Sequence, residues 1–268
     1  MQTNLENLKG NKFFLFCLLA VGFAVLISNI ISQQIANVTT DILYMPVSGG
    51  LLIISAIIAI QFRGKGDHGK AYLLFVGFVA FWSTAEFVWF RSELVTHLLP
   101  FPEYADWLYL AGYPFLFFFS VYYLKPFRTA FSKKILSYAA LATMVFLIPT
   151  LYSMYSNNPN ASLPEIIWAA IYPIADAVVL FPAVLGLALL FKGQVGLFWS
   201  LTCIAIVLNI IADSGFFFLD IDKSYYSGNP INILYLWSYI LFAFGIYSHV
   251  KLYKKPKKKS YDNVDELK

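Results

Sequence analysis

Stretches of about twenty mostly apolar residues, long enough for a helix to cross a hydrocarbon core, recur along this chain at 13–32, 43–62, 71–90, 104–124, 135–155, 166–191, 197–219 and 231–253. Between them stand short segments rich in helix breakers and charge, among them RGKGDHGK, KPFRTAFSKK and SNNPNASLPE. In a bilayer each run must satisfy its own backbone, which a helix does and an open strand does not. Composition points the same way. Only 13% of residues are charged and 59% are hydrophobic, against about 25% charged in a soluble domain. We therefore expect an all-α integral membrane protein with eight transmembrane helices and the lipid bilayer as its first partner. The first run follows Lys9 and Lys12, but it is long and lacks a clean small-x-small cleavage site, so it reads as a span and not as a cleaved signal.

Charge placement gives an orientation. Eight spans leave both termini on one face, and every Lys and Arg except Arg91 and Lys223 falls on that face. The positive-inside rule then predicts cytoplasmic termini in a cell (plasma) membrane. The basic tail, 254–268, reads as a topology anchor with affinity for anionic headgroups. It abuts a span, which argues against nucleic acid as the target of the net charge of +4. Two sequons, at Asn37 and Asn160, are expected in outer loops. Cys17 and Cys203 lie inside apolar runs, so no disulfide framework is expected.

The chain also repeats itself. Pro46 and Pro173 are 127 residues apart, as are Glu86 and Asp213, each acid following an alanine. LYLAGY at 108–113 and LYLWSY at 234–239 are 126 apart. This spacing predicts two parallel four-helix repeats, 1–128 and 129–253, followed by the tail at 254–268. Their pseudo-twofold axis would run along the membrane normal. The shared Leu-Tyr-Leu element reads as packing scaffold. Asp106 has only Asn232 at its repeat-related position.

Carboxyl groups inside spans are costly, on the order of 2.5–3.5 kcal/mol at mid-bilayer on insertion scales, and they usually face a bundle interior or a cavity. Glu86, Asp176 and Asp213 are such groups, and Asp106 marks an outer helix start. Tyr172 and Asp176 are four residues apart, as are Asn209 and Asp213, so each pair shares a helix face. Pro46, Pro114 and Pro173 free backbone carbonyls that often line cavities. We expect an outward-facing acidic and aromatic pocket formed by Glu86, Asp106, Tyr113, Tyr172, Asp176, Asn209, Asp213 and Tyr239, suited to a small ligand, a cation or a proton. Asp106 would stand at its rim, and Arg91 is a possible surface partner for Glu86. The alternative for the acids is plain interhelical hydrogen bonding by protonated groups, at about 0.6 kcal/mol each.

Catalytic and cofactor motifs are missing. There is no HExxH, CxxC pair, GxSxG or P-loop. His68 and His249 are expected on one face and His97 on the other, all solvated, which gives no metal site. No lysine lies mid-span to carry a retinal. The expectation is a non-enzyme without cofactors.

Three segments carry a family resemblance. Pro102-Glu103-Tyr104-Ala105-Asp106-Trp107-Leu108-Tyr109-Leu110-Ala111-Gly112-Tyr113-Pro114, then Tyr172-Pro173-Ile174-Ala175-Asp176, then Ala212-Asp213 resemble the multi-pass membrane sensor regions found ahead of GGDEF diguanylate cyclase or histidine kinase domains in bacteria and archaea. Glu103 stands where those regions usually carry serine, and none of these 268 residues reads as an output domain. The resemblance implies a sensory membrane module that signals through a separate partner chain contacting the inner loops or tail. The expected function is thus a polytopic sensor or receptor-like module. A secondary transporter or permease, or a structural subunit of a membrane complex, is the alternative.

Overall fold

A computed structural model of the chain describes residues 2–96, 104–157, 162–191, 197–221 and 224–253. Among these, eight α-helices follow one another without a strand: α1 (Gln2–Ile31), α2 (Gln33–Phe62), α3 (Gly66–Arg91), α4 (Tyr104–Leu124), α5 (Lys133–Asn157), α6 (Leu163–Phe191), α7 (Leu197–Ile221) and α8 (Asn232–Tyr253). A π-helical turn, Ser92–Thr96, extends α3, and a 3-10 turn, Lys125–Ala130, follows α4. Seven helices are long and apolar enough to cross a membrane, and α8 contributes a shorter apolar segment, Asn232–Ser248. Their outer surface is oily. Ile30 is 84% exposed, Ile60 72% and Tyr152 71%. Such side chains forgo about 1.5–3 kcal/mol each if they face water, and they face lipid at no such cost. The chain is built as a multi-pass membrane protein.

The largest departure from the hydropathy pattern is in α2. It starts at Gln33 and not near 43, so Asn37 sits within a helix and not in a loop. Ser32 alone separates α1 from α2. It is extended, at φ −170° and ψ 156°, and its hydroxyl accepts from the Ile35 backbone N–H at 3.2 Å, a standard N-cap. The early turns of α2 are polar in composition yet bury Ala36, Thr40, Asp41, Tyr44 and Ser48. That spacing is one face of a helix. Pro46, Pro114 and Pro173 all lie inside continuous helices.

Consecutive helices pack as neighbours within α1–α4 and within α5–α8, and α2 against α8 and α4 against α6 close the ring between the two sets. The face that carries the α2–α3 turn also carries an ion pair, Lys125 Nζ to Asp67 Oδ1 at 2.9 Å. Above it lies an aromatic core. Phe75, Phe78, Phe119 and Phe242 are fully buried. Phe75 lies 4.8 Å from Phe119 and 5.6 Å from Phe242 by ring centroids, and Tyr123 stacks on Trp199 at 4.6 Å. Such pairs contribute about 0.5–1.5 kcal/mol each beyond area burial. His68, expected to be solvated, is half-buried edge-on to Tyr123 at 5.3 Å, because Tyr123 faces the start of α3. His97, Pro102, Glu103, Asn160, Lys192, Lys223, the tail and the side chain of His249 lie outside the described residues.

Candidate functional site

Trp82 on α3 rests on Phe78 of the aromatic core, with ring centroids 4.5 Å apart. Beyond Trp82, toward the end of α3, the bundle opens into a cavity of about 280 Å³. All eight sequence-predicted site residues line it. Its carboxylates are Asp41, Glu86, Asp106, Asp176, Asp213 and, at the mouth, the exposed Asp220. No Lys, Arg or His is among the described residues that line it. Asp106 is buried, at 6% exposed, and is not a rim residue. The first turn of α4 carries it inward beside Ala105, which is also buried.

Tyrosine hydroxyls hold the acids. Tyr113 donates to Asp176 Oδ1 at 2.7 Å and reaches Asp213 Oδ2 at 3.2 Å. Tyr235 donates to Asp213 Oδ1 at 2.7 Å, and Asn209 Nδ2 donates to Asp213 Oδ2 at 2.8 Å. The second of these is the same-face contact that four-residue spacing predicts. Tyr239 donates to Glu86 Oε1 at 2.6 Å, and Tyr109 also hydrogen-bonds Glu86. Glu86 therefore does not need Arg91, which is exposed.

The pairing expected between Tyr172 and Asp176 is not formed. Tyr172 donates to Asp106 Oδ1 at 2.7 Å. Side chains on a helix lean toward its N-terminus. A tyrosine one turn before an aspartate therefore sends its hydroxyl away from that aspartate, here to the start of α4. Tyr109 and Tyr235, the tyrosines of the two Leu-Tyr-Leu elements, are ligands of carboxylates and not mere scaffold.

These bonds come in matched sets. Tyr239 to Glu86 and Tyr113 to Asp213 join residues at the 126 and 127 offsets. So do Tyr109 with Glu86 and Tyr235 with Asp213. Tyr44 donates to Asn232 Oδ1 at 3.0 Å, as Tyr172 does to Asp106, and Asp106 and Asn232 are 126 apart. Two buried acids of the cavity fall outside the pattern, Asp176 and Asp41.

Asp41 was hidden in the sequence by its polar neighbours. It is 2% exposed, and its Oδ2 has no hydrogen-bond partner. Glu93, in the π-helical turn after α3, is also engaged. It accepts from Asn37 Nδ2 at 3.0 Å, from Trp89 Nε1 at 3.2 Å and from the Ser227 hydroxyl. Asn37 Oδ1 in turn accepts from the Gly228 N–H at 2.9 Å. The loop at 224–231 is thereby tied to α2 over the cavity. Gly228 approaches so closely that a Cβ there would lie 2.4 Å from the Ala36 carbonyl carbon. In this loop, burial pushes the Tyr225 phenol up, so it stays neutral.

No group of three or more His, Cys, Asp or Glu among the described residues is arranged to hold a metal ion. No family model matches the sequence, and no curated protein or solved structure matches it either.

Proposed function

We propose that this chain is a polytopic membrane sensor or receptor-like module, not an enzyme, that binds a small cation in its acidic and aromatic cavity. The observation that carries the reading is the lining of that cavity, several buried carboxylates with no described basic residue among them. Buried charge without a counter-ion is costly, and a cationic ligand removes that cost. Aromatic walls add cation–π attraction.

Two further elements belong to this reading. The basic face is cytoplasmic in a cell membrane and the cavity opens outward; the distribution of Lys and Arg supports this. The chain is a tandem duplication of a four-helix unit; the matched tyrosine bonds and the reciprocal contacts of α2 with α8 and α4 with α6 support that. Tyr239 to Glu86 and Tyr113 to Asp213 each cross from one half to the other. A ligand that competes for those carboxylates changes how firmly the halves are joined, and a shift in packing is the signal. A separate signalling protein or a membrane-complex subunit at the inner face would read it.

A transporter is the rival reading, and the aromatic core weighs against it. Buried hydroxyls on that side, Ser55, Ser120 and Thr202, bond carbonyls of their own helices at 2.7–3.0 Å, so these three offer no free polar group past the phenylalanines. The test is titration of small inorganic and organic cations into the full chain in lipid nanodiscs, paired with flux in proteoliposomes. Binding that weakens in Asp176→Asn, with no flux, is expected. Flux that disappears in Asp176→Asn refutes the sensor reading, and binding of no cation refutes the cavity's role.

A further inference from the structure

The hydrogen-bond inventory of the cavity narrows the ligand's chemistry. Six of its tyrosine hydroxyls are committed: Tyr44 to Asn232, Tyr172 to Asp106, Tyr113 to Asp176, Tyr235 to Asp213, and Tyr239 and Tyr109 to Glu86. The Trp82 indole N–H is also used, by the Tyr109 carbonyl at 3.0 Å. Among the described residues that line the cavity, two have a buried side-chain polar atom without a hydrogen-bond partner, Asp41 at Oδ2 and Asn209 at Oδ1. Both residues are more than nine-tenths buried, at 2% and 5% exposed. Both open atoms are acceptors. The Asn209 amide cannot be turned to avoid this, because its Nδ2 is the donor to Asp213. A buried acceptor left unmet costs about 1–3 kcal/mol, more when charged. The missing partners are donors, and the surrounding carboxylates ask for positive charge on them.

The two acceptors sit at different places. Asp41 is on α2, three residues before Tyr44, whose ring meets Tyr239 at 6.1 Å; Tyr239 holds Glu86. Asn209 is on α7 beside Asp213, which shares Tyr113 with Asp176. Trp82 stands between these groups, 6.1 Å from the Tyr239 ring and 5.7 Å from that of Tyr113. Each place therefore offers one open acceptor, at least one further carboxylate and a tyrosine wall, and the Trp82 side chain lies between them. A quaternary ammonium has no N–H and leaves both acceptors unmet. A simple monoamine meets only one.

We infer that the ligand is a short linear aliphatic diamine, protonated at both ends, with one ammonium at Asp41 and Glu86, the other at Asn209 and Asp213, and its methylenes across Trp82. This rests on the cation-binding reading above and fixes the class of cation.

The experiment is calorimetric titration of the full chain in nanodiscs, at constant ionic strength, with 1,4-diaminobutane, butylamine, tetramethylammonium and diamines of shorter and longer chain. The diamine is expected to bind at least tenfold more tightly than butylamine, with one preferred chain length and little binding of tetramethylammonium. Asp41→Asn is expected to lower diamine affinity at least tenfold. The chain-length series needs no variant, so it stands even if Asp41→Asn fails to fold. Equal affinity for butylamine and the diamine, or no preferred length, overturns the two-ended ligand while leaving cation binding intact. Tetramethylammonium binding as tightly as the diamine overturns the need for N–H donors. Binding of no amine at all overturns both readings.

Discussion

Tyr113→Phe removes one hydroxyl and little else. The ring is 5% exposed and packs against Trp82 at 5.7 Å and Tyr172 at 6.4 Å, contacts that phenylalanine keeps. What goes is the donor to Asp176 at 2.7 Å and the reach to Asp213 at 3.2 Å. A hydrogen bond to a charged group is worth about 1.5–3 kcal/mol, while interhelical hydrogen bonds in membranes average about 0.6 and reach about 1.7 kcal/mol. Asp213 keeps Tyr235 and Asn209, so its loss is small. Asp176 is 2% exposed and has no other tyrosine donor among the described residues, so its loss lies near the top of the membrane range. The expected destabilisation is about 1.5–2 kcal/mol. Equilibrium unfolding in bicelles with increasing dodecyl sulfate measures it, with Tyr152→Phe, at a residue 71% exposed, as the unchanged control. In a double-mutant cycle with Asp176→Asn the two changes should couple by about 1 kcal/mol. A loss below about 0.5 kcal/mol, or strict additivity with Asp176→Asn, refutes the view that this hydroxyl anchors Asp176.

Other outcomes follow from the same contacts. Tyr239→Phe removes the matched bond to Glu86 and should cost a similar amount, about 1–2 kcal/mol by the same unfolding assay; a change of the opposite sign counts against the matched architecture. Gly228→Ala drives a methyl into the backbone at Ala36 and strains the bonds to Asn37 and from Asn29 at 2.9 and 2.7 Å. Overpacking alone predicts a loss of about 1–3 kcal/mol, and hydrogen exchange should report faster opening of the loop at 224–231. Lys125→Ala breaks an ion pair whose side chains are 52% and 34% exposed. After allowance for solvent screening the cost is below about 0.5 kcal/mol and shrinks further in high salt.

Hydropathy alone placed the helices well, because a span of about twenty apolar residues is a local property. The span read at 104–124 coincides with α4, and the one read at 231–253 nearly coincides with α8. It failed where burial is inside protein and not in lipid. The stretch SQQIANVTTD averages as loop, yet its Ala36, Thr40 and Asp41 face the bundle interior. The burial of Asp41 was legible only as a helical spacing running on into Tyr44 and Ser48. The repeat spacing drew attention to Glu86, Asp213 and the Leu-Tyr-Leu elements. It did not reveal that the tyrosines of those elements hold the acids.

Partner choice is where sequence reasoning stopped. Four-residue spacing predicted both Asn209 with Asp213 and Tyr172 with Asp176, and only the first is made. Asparagine is short and reaches the next turn, whereas a tyrosine hydroxyl extends far from its own backbone and lands on another helix. That the chain forms apolar helices, with a few carboxyls among them, is written in its residues alone, since both follow from transfer energies of residues in their local context. That those carboxyls share one cavity, which hydroxyl each receives, and that Asp41 and Asn209 keep an open acceptor emerge from the folded bundle, because these depend on where helices distant in sequence come to lie side by side.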